Sequence, residues 1–72
     1  MDEARYRITV EGHLDRSRWQ RWFTGMDISL KADRTTTLSG RVPDQAALHG
    51  LLEKIRDLGL VLIAVERLEP NT

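Results

Sequence analysis

The sequence predicts an α+β fold of the split βαβ type, in which four antiparallel strands carry two helices on one face. Two observations lead to this prediction. Apolar residues alternate with polar ones in several short segments, as in half-buried strands, and recur every three or four residues in two others, as in amphipathic helices. The segments follow one another in the order β-α-β-β-α-β. The chain of 72 residues allows one domain, and the first and third strands are expected at the centre of a ferredoxin-like sheet.

Three segments that alternate in polarity form the first three predicted strands. Residues 5–11 place apolar side chains at positions 6, 8 and 10. Residues 26–33 and 35–42 are predicted to form a hairpin with a short turn at Asp33 and Arg34. On the face away from the helices, the two central strands are expected to carry only polar side chains: Arg5, Arg7, Thr9, Glu11, Thr35, Thr37, Ser39 and Arg41.

The first helix is predicted within "DRSRWQRWFTG", residues 15–25. Asp15 is the expected N-cap, because its carboxylate can accept hydrogen bonds from free amides of the first turn. Leu14 and Trp19 have the spacing of a hydrophobic staple. Trp19, Trp22 and Phe23 share one stripe of the helix, which favours a core position for these aromatic side chains over an exposed stacking surface.

The second helix and the last strand are predicted from residues 44–68, with Asp44 as N-cap. An apolar stripe at positions 47, 48, 51, 52, 55 and 58 gives the helix a core face, and Gly59 ends it. Residues 60–68 form the last strand. The ordered core is expected at about residues 5–68, followed by a polar tail at 69–72.

Composition excludes several classes of function. Eleven basic residues balance eleven acidic ones, whereas nucleic-acid binders usually carry a basic excess. The chain has no cysteine, so disulfides and thiolate metal sites are excluded. The N-terminal segment lacks the apolar core of a signal peptide, and the longest apolar run is too short to cross a bilayer. We therefore expect a soluble, cytoplasmic protein that binds neither nucleic acid nor membrane.

Residues 44–68, "DQAALHGLLEKIRDLGLVLIAVERL", resemble the C-terminal part of a group of short uncharacterised bacterial proteins. No activity or site residue follows from that resemblance. The order of elements is also similar to that of ACT-type regulatory domains. A likeness to those domains implies pairing through the sheet and the binding of a small-molecule effector, by analogy of architecture alone.

The residue requirements of other functions of this fold are not met. RNA-recognition domains stack bases on aromatic side chains of the open sheet face, and this face is predicted to carry none. Metal-chaperone domains need a Cys-x-x-Cys loop. "VEGHLDRS" does not match the glycine- and arginine-rich phosphate loop of acylphosphatase-like enzymes. We find no nucleophile beside a base, so we predict no enzyme, no catalytic residue and no cofactor.

The two histidines provide the best candidate for a small-ligand site. His13 follows the first strand and His49 lies early in the second helix. Both loops are expected at the same end of the sheet, where the two helix N-termini converge and would favour an anion. The candidate ligand-binding residues are His13, Asp15, Asp44 and His49. A metal site is not predicted, because two histidines so far apart in sequence are a weak metal signal.

The last strand is apolar on both faces. If residues 61, 63 and 65 face the helices, the opposite face carries Leu60, Leu62 and Ala64. A strand of this kind normally has cover on both sides, and exposed apolar patches mark interfaces. We therefore predict a homo-oligomer that forms through its open sheet face or an edge strand, with these three residues as the candidate interface. The alternative is an ACT-like domain that binds a small-molecule effector.

Overall fold

The computed structural model describes residues 4–13 and 15–68. The predicted tail at 69–72 and the staple residue Leu14 lie outside the described residues. The elements are β1 (Ala4–Glu11), α1 (Arg16–Trp22), β2 (Asp27–Leu30), β3 (Thr35–Val42), α2 (Gln45–Asp57) and β4 (Leu62–Leu68).

The four strands form one antiparallel sheet in the order β2-β3-β1-β4. β1 and β3 are central, and the short β2 and the longer β4 form the two edges. The predicted α+β fold and the predicted order of elements are therefore confirmed.

The core lies between one face of this sheet and the helices. β1 buries Tyr6, Ile8 and Val10 and leaves the alternate residues on the other face. Phe23, directly after α1, joins the same cluster as Leu48 of α2. Both helical segments thus cover the same face of the sheet. The rest of the buried apolar cluster comprises Met26, Ile28, Leu38, Val42 and Ile55.

The turn between β2 and β3 is longer than the sequence predicts, since β2 ends at Leu30 and the turn occupies residues 31–34. Arg34 adopts a left-handed conformation with φ 71°. The Asp33 carboxylate accepts hydrogen bonds from the hydroxyl of Thr35 at 2.6 Å and from its amide at 3.1 Å. These bonds favour the charged carboxylate and lower the pKa of Asp33.

The aromatic stripe of the first helix is only partly a core feature. Phe23 is 1% exposed, and Trp19 is partly buried with its ring centroid 6.1 Å from that of Phe23. Trp22 is 48% exposed, so the prediction of a core position was wrong for this residue. α1 ends at Trp22, and Phe23 has a non-helical φ of −122°, so the three aromatic residues do not lie on one continuous helical stripe. The change in backbone direction turns Phe23 inward and ends the helical stripe.

The two predicted N-caps behave differently. Asp44 accepts a hydrogen bond from the amide of Ala47 at 2.8 Å, as predicted. Asp15 occupies the N-cap position of α1 but makes no side-chain bond to an amide of that helix. Its carboxylate accepts from the hydroxyl of Ser17 at 2.9 Å instead. The predicted N-cap position of Asp15 is confirmed, but the predicted side-chain bond to a free amide was wrong, because a neighbouring hydroxyl takes the place of the amide.

Replacement of each aspartate by alanine tests this difference. We expect Asp44→Ala to lower the free energy of unfolding by about 1 kcal/mol, the usual effect of losing an N-cap bond. Asp15→Ala is expected to change it by less than about 0.5 kcal/mol, as for exposed surface positions. Urea unfolding followed by far-UV circular dichroism measures both. Equal losses for the two variants would contradict the assignment.

Candidate functional site

The structure does not bring the four predicted ligand-binding residues together. β1 pairs antiparallel with β3, so that Glu11 lies opposite Thr35 and Ala4 lies opposite Val42. The loop after Glu11 and the loop after Val42 are therefore at opposite ends of the sheet. The prediction that both helix N-termini converge was wrong for this topological reason.

Each of these residues has a different environment. Nε2 of His13 lies 2.7 Å from the carbonyl oxygen of Lys31, which ties the loop after β1 to the β2–β3 turn. Asp15 and Asp44 make the contacts described above. His49 is exposed on α2 and lines a groove beside β4. Within residues 4–13 and 15–68, no group of three or more histidine or acidic side chains is placed to hold a metal ion.

β4 and the residue directly before it carry a row of exposed apolar side chains. Val61, Leu62, Ile63 and Val65 are each between 38% and 56% exposed. We call these four residues the β4 edge surface. Among the described residues, no strand pairs with the outer side of β4. This surface therefore combines apolar side chains with the free edge of a sheet.

A β-bulge changes the faces that the sequence predicts for β4. Ala64 lies opposite Thr9 on the open face, but the pairing shifts by one residue between Thr9 and Val10, so that Leu62 lies opposite the buried Val10. Leu62 is therefore on the helix side, and its predicted position on the open face was wrong. The extra residue at Ile63 breaks the strict alternation on which that prediction depended.

Leu60 also differs from the prediction. It precedes β4, and its amide donates to the carbonyl oxygen of Ile55 at 3.1 Å, at the end of α2. Its side chain packs against the core. Of the three predicted interface residues, only Ala64 lies on the open face, where it is half-buried.

An open groove of about 640 Å³ runs between α2 and the start of β4. Its wall on the strand side includes Leu62, so the groove is continuous with the β4 edge surface. The helix supplies both apolar and charged side chains. The lining residues are His49, Leu52, Glu53, Ile55, Arg56, Gly59, Leu60 and Leu62.

The open face of the two central strands is polar. Nε of Arg7 donates to a carboxylate oxygen of Glu66 at 2.9 Å, joining β1 to β4. This bond, and then the attraction of opposite charges, lowers the pKa of Glu66. Arg5 and Arg41 lie opposite each other on the same face. The predicted absence of strand aromatics from this face is confirmed, because Tyr6 is buried on the helix side.

Residues 5–66 match the family described as "Domain of unknown function (DUF8691)". The chain belongs to this family. The DUF8691 match covers all of α1, β2, β3 and α2 and most of β1 and β4. It agrees with the resemblance to uncharacterised proteins and assigns no activity to any residue. No curated protein and no solved structure matches the chain.

No helix among the described residues of this DUF8691 chain is long and apolar enough to cross a membrane.

Proposed function

We propose that this protein is a small non-catalytic interaction module that self-associates through the β4 edge surface. The observation that carries the proposal is the coincidence of four exposed apolar side chains with an unpaired sheet edge. Such an edge presents free amides and carbonyls to another strand, and natural proteins usually protect it or use it.

The β4 edge is a better candidate than the open face of the sheet. The open face carries the Arg7–Glu66 ion pair and further charged side chains at Arg5, Glu11 and Arg41. Burial of these groups against a partner would cost desolvation energy at each charge. The β4 edge surface consists of valine, leucine and isoleucine side chains, whose burial is favourable by about 25 cal/mol per Å² of apolar area.

The size of the domain is a second argument for self-association. A chain of 72 residues without cysteine has no disulfide to add to its core. Domains of this size usually gain stability from disulfides, metals or a partner subunit. A second copy that covers the β4 edge surface would supply burial that the single chain lacks.

The second candidate function is an ACT-like regulatory domain that binds a small-molecule effector. The groove between α2 and β4 favours it, since its volume of about 640 Å³ is typical of small-molecule sites. Its polar side chains, His49, Glu53 and Arg56, would orient a charged ligand. In a dimer that forms through β4, this groove would lie beside the subunit boundary.

The mass of the wild-type protein in solution tests both candidates. We expect light scattering to give a dimer or a higher oligomer at micromolar concentration, with a mass that falls on dilution. Native mass spectrometry of protein purified from cells reports subunit number and any retained small molecule together. A monomeric mass up to high micromolar concentration would contradict self-association, and a retained ligand on the monomer would favour the effector-binding alternative.

The proposal also includes a bacterial origin and a cytoplasmic location, as the sequence suggests. Both stay predictions.

A further inference from the structure

The two edge strands of the sheet, β2 and β4, differ in how well they are protected against pairing with another strand. The β2 edge is four residues long and carries Asp27, with Lys31 directly after it. The β4 edge is seven residues long, and its charged residues, Glu66 and Arg67, lie near its end. Short length and charge are common devices against unwanted strand pairing. By this comparison β2 is a protected edge and β4 is an edge suited to pairing.

We propose that two copies of the chain pair antiparallel through β4 about a two-fold axis at Val65. The two four-stranded sheets would then form one continuous sheet of eight strands. This inference rests on the proposed function and adds the partner, a second copy, and the register of the contact.

The ladder between β1 and β4 fixes those faces. On the helix side, Val65 lies opposite Ile8 and Arg67 lies opposite Tyr6. The open side of β4 carries Ala64, Glu66 and Leu68. From Ala64 to Leu68 the pairing with β1 is regular, so these side chains alternate strictly between the two faces.

Two-fold symmetry then leaves few registers. Residues that face each other across the contact must lie on the same face of the joined sheet. The two-fold axis must therefore lie midway between the two copies of one residue, which then face each other. An axis at Glu66 or Arg67 would set like charges directly opposite each other, which is destabilising. An axis at Ala64 would pair Glu66 of the open face with Leu62 of the helix side. An axis at Val65 sets no like charges opposite each other and keeps residues 64–66 on matching faces; the bulge disturbs this pairing only further out, where Leu62 faces Leu68.

The register about Val65 brings compatible side chains together from residue 63 to residue 67. Two valines face each other on the helix side, a favourable β-branched pair. Ala64 lies opposite the second copy's Glu66, whose carboxylate is already held by Arg7 at 2.9 Å. Ile63 lies opposite Arg67, whose aliphatic stem can cover it. One sequence satisfies both sides of the contact, which favours a second copy over the strand of another protein.

The absence of cysteine allows a direct test by disulfide formation in the full-length chain. In Val65→Cys the two thiols would lie on the axis, where Cα atoms of facing residues are about 4.5–5.5 Å apart, within the range that a disulfide spans. Ser29→Cys, in the exposed middle of the β2 edge, is the matched control. We expect Val65→Cys to form a covalent dimer at least about tenfold faster than Ser29→Cys, since pairing raises the effective thiol concentration.

A mixture of Ala64→Cys and Glu66→Cys tests the register itself. Mass spectrometry should show the mixed disulfide in excess over either homodimer. Homodimers in excess, or equal rates for Val65→Cys and Ser29→Cys, would overturn the register while a wild-type dimer still supported the proposed function. A monomeric wild type with no preferential cross-link would overturn both proposals.

Discussion

Phe23→Ala is expected to remove most of the stability of the isolated domain. Truncation of a fully buried phenylalanine costs about 3–5 kcal/mol, because transfer energy is lost and a cavity remains. Phe23 is 1% exposed, and it is the point at which the α1 segment joins the core of the sheet. A domain of this length has a net stability of about 0.05–0.15 kcal/mol per residue, so the expected loss is a large part of the total.

Trp22→Ala is the matched control, because Trp22 precedes Phe23 directly and is 48% exposed. We expect its effect on the free energy of unfolding to be below about 1 kcal/mol, as for surface substitutions away from buried contacts. Urea unfolding of both variants, followed by far-UV circular dichroism, measures the difference. A larger loss for Trp22→Ala than for Phe23→Ala would contradict the position of the aromatic side chains.

The central strands were predictable from sequence because their alternation is regular. Tyr6, Ile8 and Val10 occupy one face of β1, and the polar residues between them occupy the other, as period two requires. Asp44 was predictable as an N-cap, because it directly precedes a long amphipathic helix. At these positions the local sequence pattern agrees with the structure, because no competing interaction moves the side chains from their predicted places.

The sequence predictions that the structure contradicts were wrong for identifiable physical reasons. Leu62 changed face because a β-bulge adds one residue to β4, and no residue of "LVLIAVERL" signals a bulge. Trp22 is exposed where α1 ends, and Phe23, which follows in a non-helical conformation, enters the core instead. Gly40 carried a signal that was missed, since a Cβ there would lie 3.2 Å from the carbonyl oxygen of Gly25. The close approach explains a glycine within a central strand.

The predicted ligand site failed for a topological reason that does not depend on side chains. In an antiparallel pair of central strands, the segments after β1 and after β3 leave the sheet at opposite ends. His13 and Asp44 therefore lie far apart whatever their chemistry. The last strand, by contrast, was recognisable from the sequence as apolar on both faces, but Val61, Ile63 and Val65 were expected to face the helices, and all three are exposed.

Leu62→Glu is expected to dissociate the self-associated protein. Leu62 borders both the β4 edge and the groove beside α2, so a partner strand would enclose it in apolar surroundings. A buried charge without a partner costs about 3–5 kcal/mol. A weakening of about 3 kcal/mol corresponds to roughly 100-fold in the dissociation constant.

Leu30→Glu is a closely matched control for this substitution. Leu30, Thr36, Val10 and Leu62 face one another across the sheet in one row, so the two leucines lie on the same face at opposite edges. Their exposed fractions are 44% and 45%. Any general effect of a new carboxylate on folding should therefore be similar in the two variants, and only the contact at β4 should distinguish them.

Sedimentation equilibrium of the wild type, Leu62→Glu and Leu30→Glu at matched micromolar concentrations tests the central claim most directly, with circular dichroism to verify that each variant is folded. We predict an oligomeric wild type, an oligomeric Leu30→Glu and a monomeric Leu62→Glu. A monomeric wild type, or a folded Leu62→Glu that associates as strongly as Leu30→Glu, would contradict self-association through the β4 edge.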